Sequence, residues 1–408
     1  MSADEITHDI FEGDFPPENY GTNLDEVETI VQRAVDDLFF DKDGILLGAV
    51  NARTMKPYRN ADVKDRIDGV GTFVEHAKIP RSVKAIRANY ENSIQVSGVF
   101  LGALCAKAGA TGGMASRDPA AGIVAAIATL WANAALIQYP LGGGGKGWLP
   151  KPYGGIHEVE NMHECSVDQY CDITLGLHSY YQVFASEREK RQIEEIIVSF
   201  ADWWYEHDFA CVYQGEAIWY KLLPDHSMAT SFFLYLFALA NSWCPSRRFQ
   251  HGFEIWQERL DTLRAADEAI WICMNGLPLD CMTRLVDLRP EYIDFWRAIA
   301  EHHAQFVVAS VEKQPGMNRM YEIEGLAANY LMAANQIIPH SGYDTIAVKY
   351  LHRVSDRKQF YHLRRGLHLK DLDPRKCGDD CRDMFSCEIH VHWLSAYWKL
   401  RKNGALPE

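Results

Sequence analysis

The sequence predicts an all-α fold built from repeated helical hairpins. Amphipathic helical stretches recur from about residue 24 to residue 400, short polar or Gly/Pro-containing turns separate most of them, and strand signals are few. Helices of similar length joined by short turns pack as antiparallel neighbours, and about a dozen can close into a double ring of alternating inner and outer helices. An open solenoid is the alternative arrangement.

The helical pattern predicts one domain. The chain of 408 residues exceeds the usual size of a single domain, but no long Ser/Pro/Gly-rich linker interrupts the pattern. Residues 1–23 are acidic, contain proline and lack a helical period, which predicts an N-terminal arm. Residues 24–408 are then expected to form a single helical barrel domain.

The first predicted helix covers residues 24–38, with Asn23 as its candidate N-cap. The best strand candidate is the apolar segment 44–50. The other predicted helices cover approximately 90–108, a segment starting at 118, 167–184, 187–207, 227–242, 250–272, 290–312, 322–336 and 386–400.

Two segments predict which helices are internal. Residues 97–104 are small and apolar nearly all round, which is typical of an inner helix. Residues 187–195 are densely charged, which predicts the solvated face of an outer helix.

The net charge and the hydropathy pattern argue against nucleic acid and membranes as partners. With 55 acidic and 41 basic residues the net charge is −14, which opposes binding to nucleic acid. The most apolar stretch, residues 120–136, indicates a buried helix, so no membrane span is expected. The N-terminus has no basic region followed by an apolar one, which predicts a cytoplasmic protein without a secretory signal; a secreted protein whose signal was removed stays an alternative.

A long connection at residues 139–170 predicts a functional loop, because long loops inside helical proteins commonly carry function. Its four consecutive glycines and Lys146 do not have the spacing of a phosphate-binding loop, and no strand precedes them. We therefore expect no nucleotide cofactor.

Two carboxylates stand at the starts of predicted inner helices. Asp168 has two compatible interpretations, a first-turn carboxylate stabilised by the helix dipole and a general acid or base. Glu91 stands in a similar polar and aromatic context at another helix start. Glycosyl chemistry commonly uses two carboxyl groups that flank the scissile bond.

These motifs resemble those of the six-hairpin glycosidase superfamily, whose fold is an (α/α)6 barrel. The segment 167–170, followed by 176–177 and 180–181, and the segment 90–93, followed by 97–98, are similar to the two Asp-bearing helices of unsaturated glucuronyl and rhamnogalacturonyl hydrolases. Position 91 carries Glu where that family carries Asp. The resemblance implies that Asp168 is the principal acid/base and Glu91 its partner.

A sugar cleft also needs aromatic walls and, for an acidic sugar, cations. His226 is a further catalytic candidate at a helix start, although a helix-terminal histidine satisfied by the backbone is the alternative, and Glu324 is an outside candidate. The expected substrate-binding residues are Trp148, Tyr153, His157, Glu158, Glu160, Tyr170, Trp219, Tyr220, Arg87, Lys146 and His392, with Arg53 as an additional cation.

One cluster has metal-ligating residue types, namely Cys377, Cys381, Cys387, His390 and His392. Its cysteine spacings differ from the usual zinc knuckle, so structural zinc, a disulfide and free cysteines all stay open. We predict no metal and no cofactor for catalysis.

Three functions compete. The first is a glycoside hydrolase acting on an oligosaccharide, with uronic acids as one option. The second is a polysaccharide lyase, sugar epimerase or dehydratase on the same barrel, for which His157, His163, Tyr170, His226 and His392 would matter more. The third is a non-catalytic helical-repeat scaffold that binds peptide.

Overall fold

A computed structural model describes residues 15–52, 54–59, 86, 89–138, 143–155, 163–213, 216–223, 226–264, 272–312, 323–354, 357–363 and 382–406. Most of these residues are helical, which confirms the all-α class in its coarse form. Within the described ranges lie twelve α-helices: α1 (Leu24–Ala34), α2 (Ser93–Thr111), α3 (Arg117–Ala134), α4 (Val167–Val183), α5 (Glu187–Glu206), α6 (Ser227–Trp243), α7 (Arg247–Gln257), α8 (Ile272–Leu288), α9 (Ile293–Glu312), α10 (Glu324–Ile337), α11 (Tyr343–His352) and α12 (Cys387–Lys402).

Short strands accompany the helices. The described strands are β1 (Ala49–Asn51), β2 (Ala210–Tyr213), β3 (Glu216–Trp219), β4 (Tyr361–Leu363) and β5 (Arg382–Ser386). The strands β1, β5 and β4 form one antiparallel sheet in that order, and β2 pairs with β3 in an antiparallel hairpin. The predicted strand at 44–50 is found only at its end, where β1 begins.

Local sequence explains several helix starts. The side chain of Asn23 accepts a hydrogen bond from the Asp25 backbone at the start of α1, as predicted. Ser186 and Glu189 form a reciprocal capping box at the start of α5, which satisfies backbone donors that the helix itself cannot use. The charged start of α5 is exposed whereas α2 is buried over most of its surface, and both agree with the sequence.

Helices that are two apart along the chain pack against each other. Helix α2 packs against α4 and α12, helix α8 packs against α6 and α10, α4 also contacts α6, and α10 contacts α12. The helices between them each contact a chain neighbour from this set: α3 packs on α2, α5 on α4, α7 on α6, α9 on α8 and α11 on α10.

The first and last described helices also meet. Helix α1 packs against α12, burying Val27 and Val31. Tyr397 of α12 donates a hydrogen bond to Asp25 of α1 over 2.5 Å, across 372 positions of sequence. Part of the predicted arm is ordered as well, because Tyr20 is buried with its ring 5.4 Å from that of Phe360.

Glycines allow α2 and α4 to approach closely. A β-carbon at Gly98 would lie 2.4 Å from the backbone carbonyl of Asp172, and one at Gly176 would lie 2.4 Å from the Gly98 oxygen. Such distances are well below van der Waals contact, so both positions require glycine.

Two helices differ from the sequence prediction. Helix α7 ends at Gln257 instead of continuing to 272, and α8 is a separate helix that the sequence did not predict. Pro278 lies inside α8, where its missing N–H and its ring disfavour a helix, and this masked the pattern. Helix α11 was also not predicted.

By length and composition, α2 alone among the described helices could cross a membrane. About two thirds of its apolar window (67%) is buried against the rest of the protein, as in a core helix.

Candidate functional site

The predicted catalytic residues lie at the starts of three helices: Glu91 just before α2, Asp168 in the first turn of α4 and His226 at the N-cap of α6. They adjoin the loop before α4, in which Lys151 and Glu164 exchange backbone contacts: the Lys151 N–H donates to the Glu164 carbonyl over 2.7 Å. The Glu164 N–H donates to the Gly154 carbonyl over 3.0 Å, so this loop is fixed on itself by backbone hydrogen bonds.

Lys151 is the centre of a buried charge cluster. Its ammonium donates a hydrogen bond to Glu91 and lies 3.4 Å from a carboxylate oxygen of Glu164. The side chains of Lys151 and Glu164 are only 3% and 0% exposed, and that of Glu91 is 11% exposed. The cluster therefore holds two carboxylates around one cation away from bulk water.

The electrostatics favour a charged Lys151. Burial lowers the pKa of the ammonium, but Glu91, Tyr213 and Glu164 together outweigh burial and raise that pKa well above its usual range. The Lys151 ammonium also lies 5.1 Å from the centre of the Tyr213 ring, a cation–π contact. Glu91 is thus held opposite a permanent positive charge.

Asp168 lies half-buried in the first turn of α4. Its Oδ1 accepts a hydrogen bond from the Gln169 N–H over 3.0 Å, as expected of a first-turn carboxylate. The Gln169 side chain donates to the Glu91 backbone carbonyl over 2.9 Å, which ties the start of α4 to the end of the turn before α2. The two predicted carboxylates therefore stand on neighbouring helix starts.

The charge of Asp168 acts on three neighbouring side chains. It contributes to the raised pKa of Tyr213 and of Tyr220, in both of which burial is the larger cause. Burial lowers the pKa of His226, and Asp168 opposes part of that effect. The charge of Asp168 therefore links it to Tyr213, Tyr220 and His226. We call these four residues, together with Glu91, Lys151 and Glu164, the first-turn site.

His226 has the structural role that the sequence left open. Its Nδ1 accepts a hydrogen bond from the Ala229 N–H over 3.1 Å and so caps α6. Its ring meets that of Tyr220 edge to face at 5.4 Å. Because Nδ1 accepts a hydrogen bond from the backbone, a neutral His226 carries its own proton on Nε2.

The predicted aromatic wall divides into exposed and buried rings. Tyr153 is 39% exposed and Trp219, at the end of β3, is 45% exposed, so both can contact a ligand. Trp148 and Tyr170 are 1% and 0% exposed, which places them in the core instead of on a cleft wall. Tyr220 is also buried, at 5% exposure.

Tyr170 supports the loop instead. Its hydroxyl accepts a hydrogen bond from the Leu149 N–H over 2.6 Å and donates to the Gly147 carbonyl over 3.1 Å. Its ring packs among aromatic side chains of α5, including Phe200 and Trp204. The position of the Gly147–Leu149 backbone, just before Lys151, therefore depends on this hydroxyl.

Tyr153 rests on a second network. Its ring lies 4.9 Å from that of Tyr90, whose hydroxyl donates to Asp41 over 2.7 Å. Burial, with the negative charges of Asp41 and Asp43, raises the pKa of Tyr153 and keeps its phenol neutral. Tyr153 also has a positive φ of 58°, a left-handed conformation that is uncommon away from glycine.

The remaining predicted residues lie elsewhere. Lys146 is exposed and pairs with Glu195 of α5 over 2.7 Å, which keeps it away from the first-turn site. His392 is fully buried in the middle of α12, and Asn329 donates to its Nδ1 over 2.9 Å. Glu324 is buried in the first turn of α10. Arg53, Arg87, His157, Glu158 and Glu160 lie outside the described residues.

The sequence did not single out Lys151, Glu164 or Tyr213. Lys151 and Glu164 lie in the loop that the sequence marked as functional, so their location was indicated but their pairing was not. Tyr213 is the last residue of β2, outside that loop. Cys387 is buried, whereas Cys377 and Cys381 lie outside the described ranges. Within those ranges there is no group of three or more His, Cys, Asp or Glu side chains placed to hold a metal ion.

Comparison with known proteins does not identify a family for this chain. No protein-family model matches the chain, and no match was found among the curated proteins.

Proposed function

We propose that this protein is a carbohydrate-active enzyme that hydrolyses a glycosidic bond at the first-turn site, with Asp168 as its acid/base. The observation that carries the proposal is the juxtaposition of a half-buried carboxylate, Asp168, with a carboxylate that pairs with an ammonium, Glu91, at neighbouring helix starts. Glycoside hydrolysis needs two such carboxyl groups in different environments.

The fold we propose is an (α/α)6 barrel. The contacts of α2, α4, α6, α8, α10 and α12 support this arrangement, because each contacts the one before and the one after it, and α12 contacts α2. The partner helices α3, α5, α7, α9 and α11, with α1 on α12, would then make the outer layer. All residues of the first-turn site would lie at one end of this barrel.

In the proposed reaction Asp168 donates a proton to the leaving glycosidic oxygen as the C–O bond breaks. Water then adds to the anomeric carbon, and the proton that this water loses returns to the Asp168 carboxylate. Glu91 pairs with the Lys151 ammonium and would stabilise positive charge that develops on the sugar ring. Tyr153 and Trp219 would supply exposed rings for the C–H faces of the sugar.

The test is a screen of neutral and uronic-acid oligosaccharides with mass-spectrometric detection of products. Asp168→Asn should lower turnover by about 100-fold or more while leaving the fold intact. The matched control is Asp118→Asn, because Asp118 is also a first-turn carboxylate, on the exposed start of α3. Unchanged turnover in Asp168→Asn, or no cleavage of any oligosaccharide, would contradict the proposal.

One observation favours a second function, a lyase or sugar isomerase at the same site. His226, Tyr213 and Tyr220 surround Asp168, and burial lowers the pKa of His226, so that it is neutral near pH 7. Proton abstraction beside a carbonyl uses such groups. A lyase would release an unsaturated product that absorbs ultraviolet light, whereas a hydrolase would incorporate oxygen from labelled water.

A further inference from the structure

A polar cavity of about 310 Å³ lies away from the first turns. Its walls come from the middle and last turns of α2, α4, α8, α10 and α12. Its ionisable and amide side chains include Asp172, Asp280, Arg284, Asn329, Lys399 and Lys402. A volume of this size is at the lower end of the range for small-molecule sites.

Among the residues that the structure describes, Arg284 forms no ion pair with a carboxylate. Its guanidinium donates to Gln182 Oε1 over 2.8 Å and to Ser179 Oγ over 2.7 Å, both neutral acceptors. Gln182 in turn contacts His178, which contacts the Tyr235 hydroxyl at 2.9 Å. Because the Gln182 oxygen accepts from Arg284, the Gln182 amide N–H faces His178 Nε2. All the hydrogen-bond partners in this series beyond Arg284 are uncharged.

Asp172 of α4 offers an unused hydrogen-bonding group in the cavity wall. Its side chain is 3% exposed, and its Oδ2 has no hydrogen-bond partner among the described residues. Burial and the neighbouring Asp280 and Asp168 charges raise the pKa of Asp172 well above its usual range, which favours the neutral acid. A buried polar atom of this kind ordinarily meets a ligand or a water molecule.

Lys399 and Asn329 complete the polar wall. The Lys399 ammonium donates to Asn329 Oδ1 over 2.8 Å and lies 3.4 Å from Asp280. The Asn329 amide donates to His392, so both ends of this amide are engaged. Asp280 faces three cations in the cavity lining, Arg284, Lys399 and Lys402, so positive charge is in excess.

Gly102 keeps the cavity open. It lies in the middle of α2 and lines the cavity, and a β-carbon built on it would have no atom within 4 Å. Glycine in a helix interior lowers helix stability by about 1 kcal/mol relative to alanine. Because alanine would fit at position 102 without a clash, packing does not explain the glycine.

We propose that this cavity binds a small hydroxylated carboxylate, with its carboxylate on Arg284 and a hydroxyl group on Asp172. A guanidinium with free N–H groups suits a planar carboxylate. This site is separate from the first-turn site and needs no turnover to be detected.

The test is isothermal titration calorimetry with D-glucuronate, and with D-glucose as the probe that lacks the carboxylate. We expect saturable glucuronate binding that is at least about tenfold tighter than any glucose binding. Arg284→Gln should weaken glucuronate binding at least about tenfold. Gly102→Leu should abolish it by filling the cavity, while the matched variant Gly122→Leu, at an exposed position of α3 with no atom near its β-carbon, should bind as the wild type does.

Asp168→Asn separates this site from the first-turn site and should bind glucuronate unchanged. Absence of saturable binding, or wild-type binding in both Arg284→Gln and Gly102→Leu, would overturn the proposal. Loss of binding in Asp168→Asn with retention in Gly102→Leu would overturn it as well, because the ligand would then occupy the first-turn site. Thermal unfolding of each variant checks that binding is compared between folded proteins.

Discussion

Lys151 and Glu91 form an ion pair in the protein interior, with side chains only 3% and 11% exposed. Removing the cation would leave Glu91 and the fully buried Glu164 without their shared partner. Lys151→Met should therefore lower the free energy of unfolding by about 3–5 kcal/mol, measured by urea denaturation.

The matched control is Lys146→Met, which breaks an ion pair with Glu195 whose side chains are 58% and 54% exposed. Solvent screens such pairs, so the expected loss is below about 1 kcal/mol. Equal losses in the two variants would contradict the buried cluster.

The crossing of α2 and α4 predicts opposite effects of alanine at two glycines on one helix. Gly98→Ala would place a β-carbon 2.4 Å from the Asp172 carbonyl, so it should destabilise the protein by about 1–3 kcal/mol. Gly102→Ala meets no atom within 4 Å and should stabilise it by about 0.5–1 kcal/mol. Thermal unfolding of both variants tests this prediction. A lower unfolding temperature for Gly102→Ala would contradict the presence of open space beside Gly102.

Tyr170→Phe tests whether this residue supports the loop. The substitution removes the hydroxyl that joins the Leu149 N–H to the Gly147 carbonyl and leaves both buried groups unpaired. We expect a loss of about 1–3 kcal/mol in unfolding free energy. A variant as stable as the wild type would show that these backbone groups find other partners.

His178 predicts a pH dependence of stability. Burial, assisted by the charge of Arg284, lowers its pKa from 6.5 to about 3 in the folded protein. Below pH 6.5 the unfolded chain binds a proton that the folded protein does not, so the contribution of His178 to stability is lost as the pH falls from 6.5 towards 3.

Urea denaturation of the wild type and of His178→Gln from pH 7 to pH 4.5 measures this contribution. The variant should be less stable at pH 7, and the difference should shrink by about 1.4 kcal/mol per pH unit below the unfolded-state pKa. A difference that stays constant over this range would mean that His178 is not held neutral.

The sequence predicted helices best where a single amphipathic period ran without interruption. The starts of α4, α5 and α6 fall at the predicted residues, because capping and apolar periodicity are local properties. Helix α8 was missed because Pro278 breaks the local propensity and only packing against α6, α9 and α10 compensates for it.

The site was predictable in its helix starts but not in its pairings. Asp168 and Glu91 could be identified from their positions before apolar helices, whereas the pairing of Lys151 with Glu91 joins residues 60 apart in sequence. Local composition also does not distinguish Trp148, which is buried, from Trp219, which is exposed, because the difference arises from the tertiary packing around each ring.

The contact between α1 and α12 has a consequence for biosynthesis. Asp25 leaves the ribosome among the first residues of this sequence, while its partner Tyr397 is added 372 positions later. At a translation rate of roughly 5–20 residues per second, α1 with Val27 and Val31 is synthesised tens of seconds before α12, the helix against which it packs. Helix α1 of the nascent chain therefore lacks its contact with α12 until the end of this sequence is translated, and a circular permutant that places α1 directly after α12 would remove that delay.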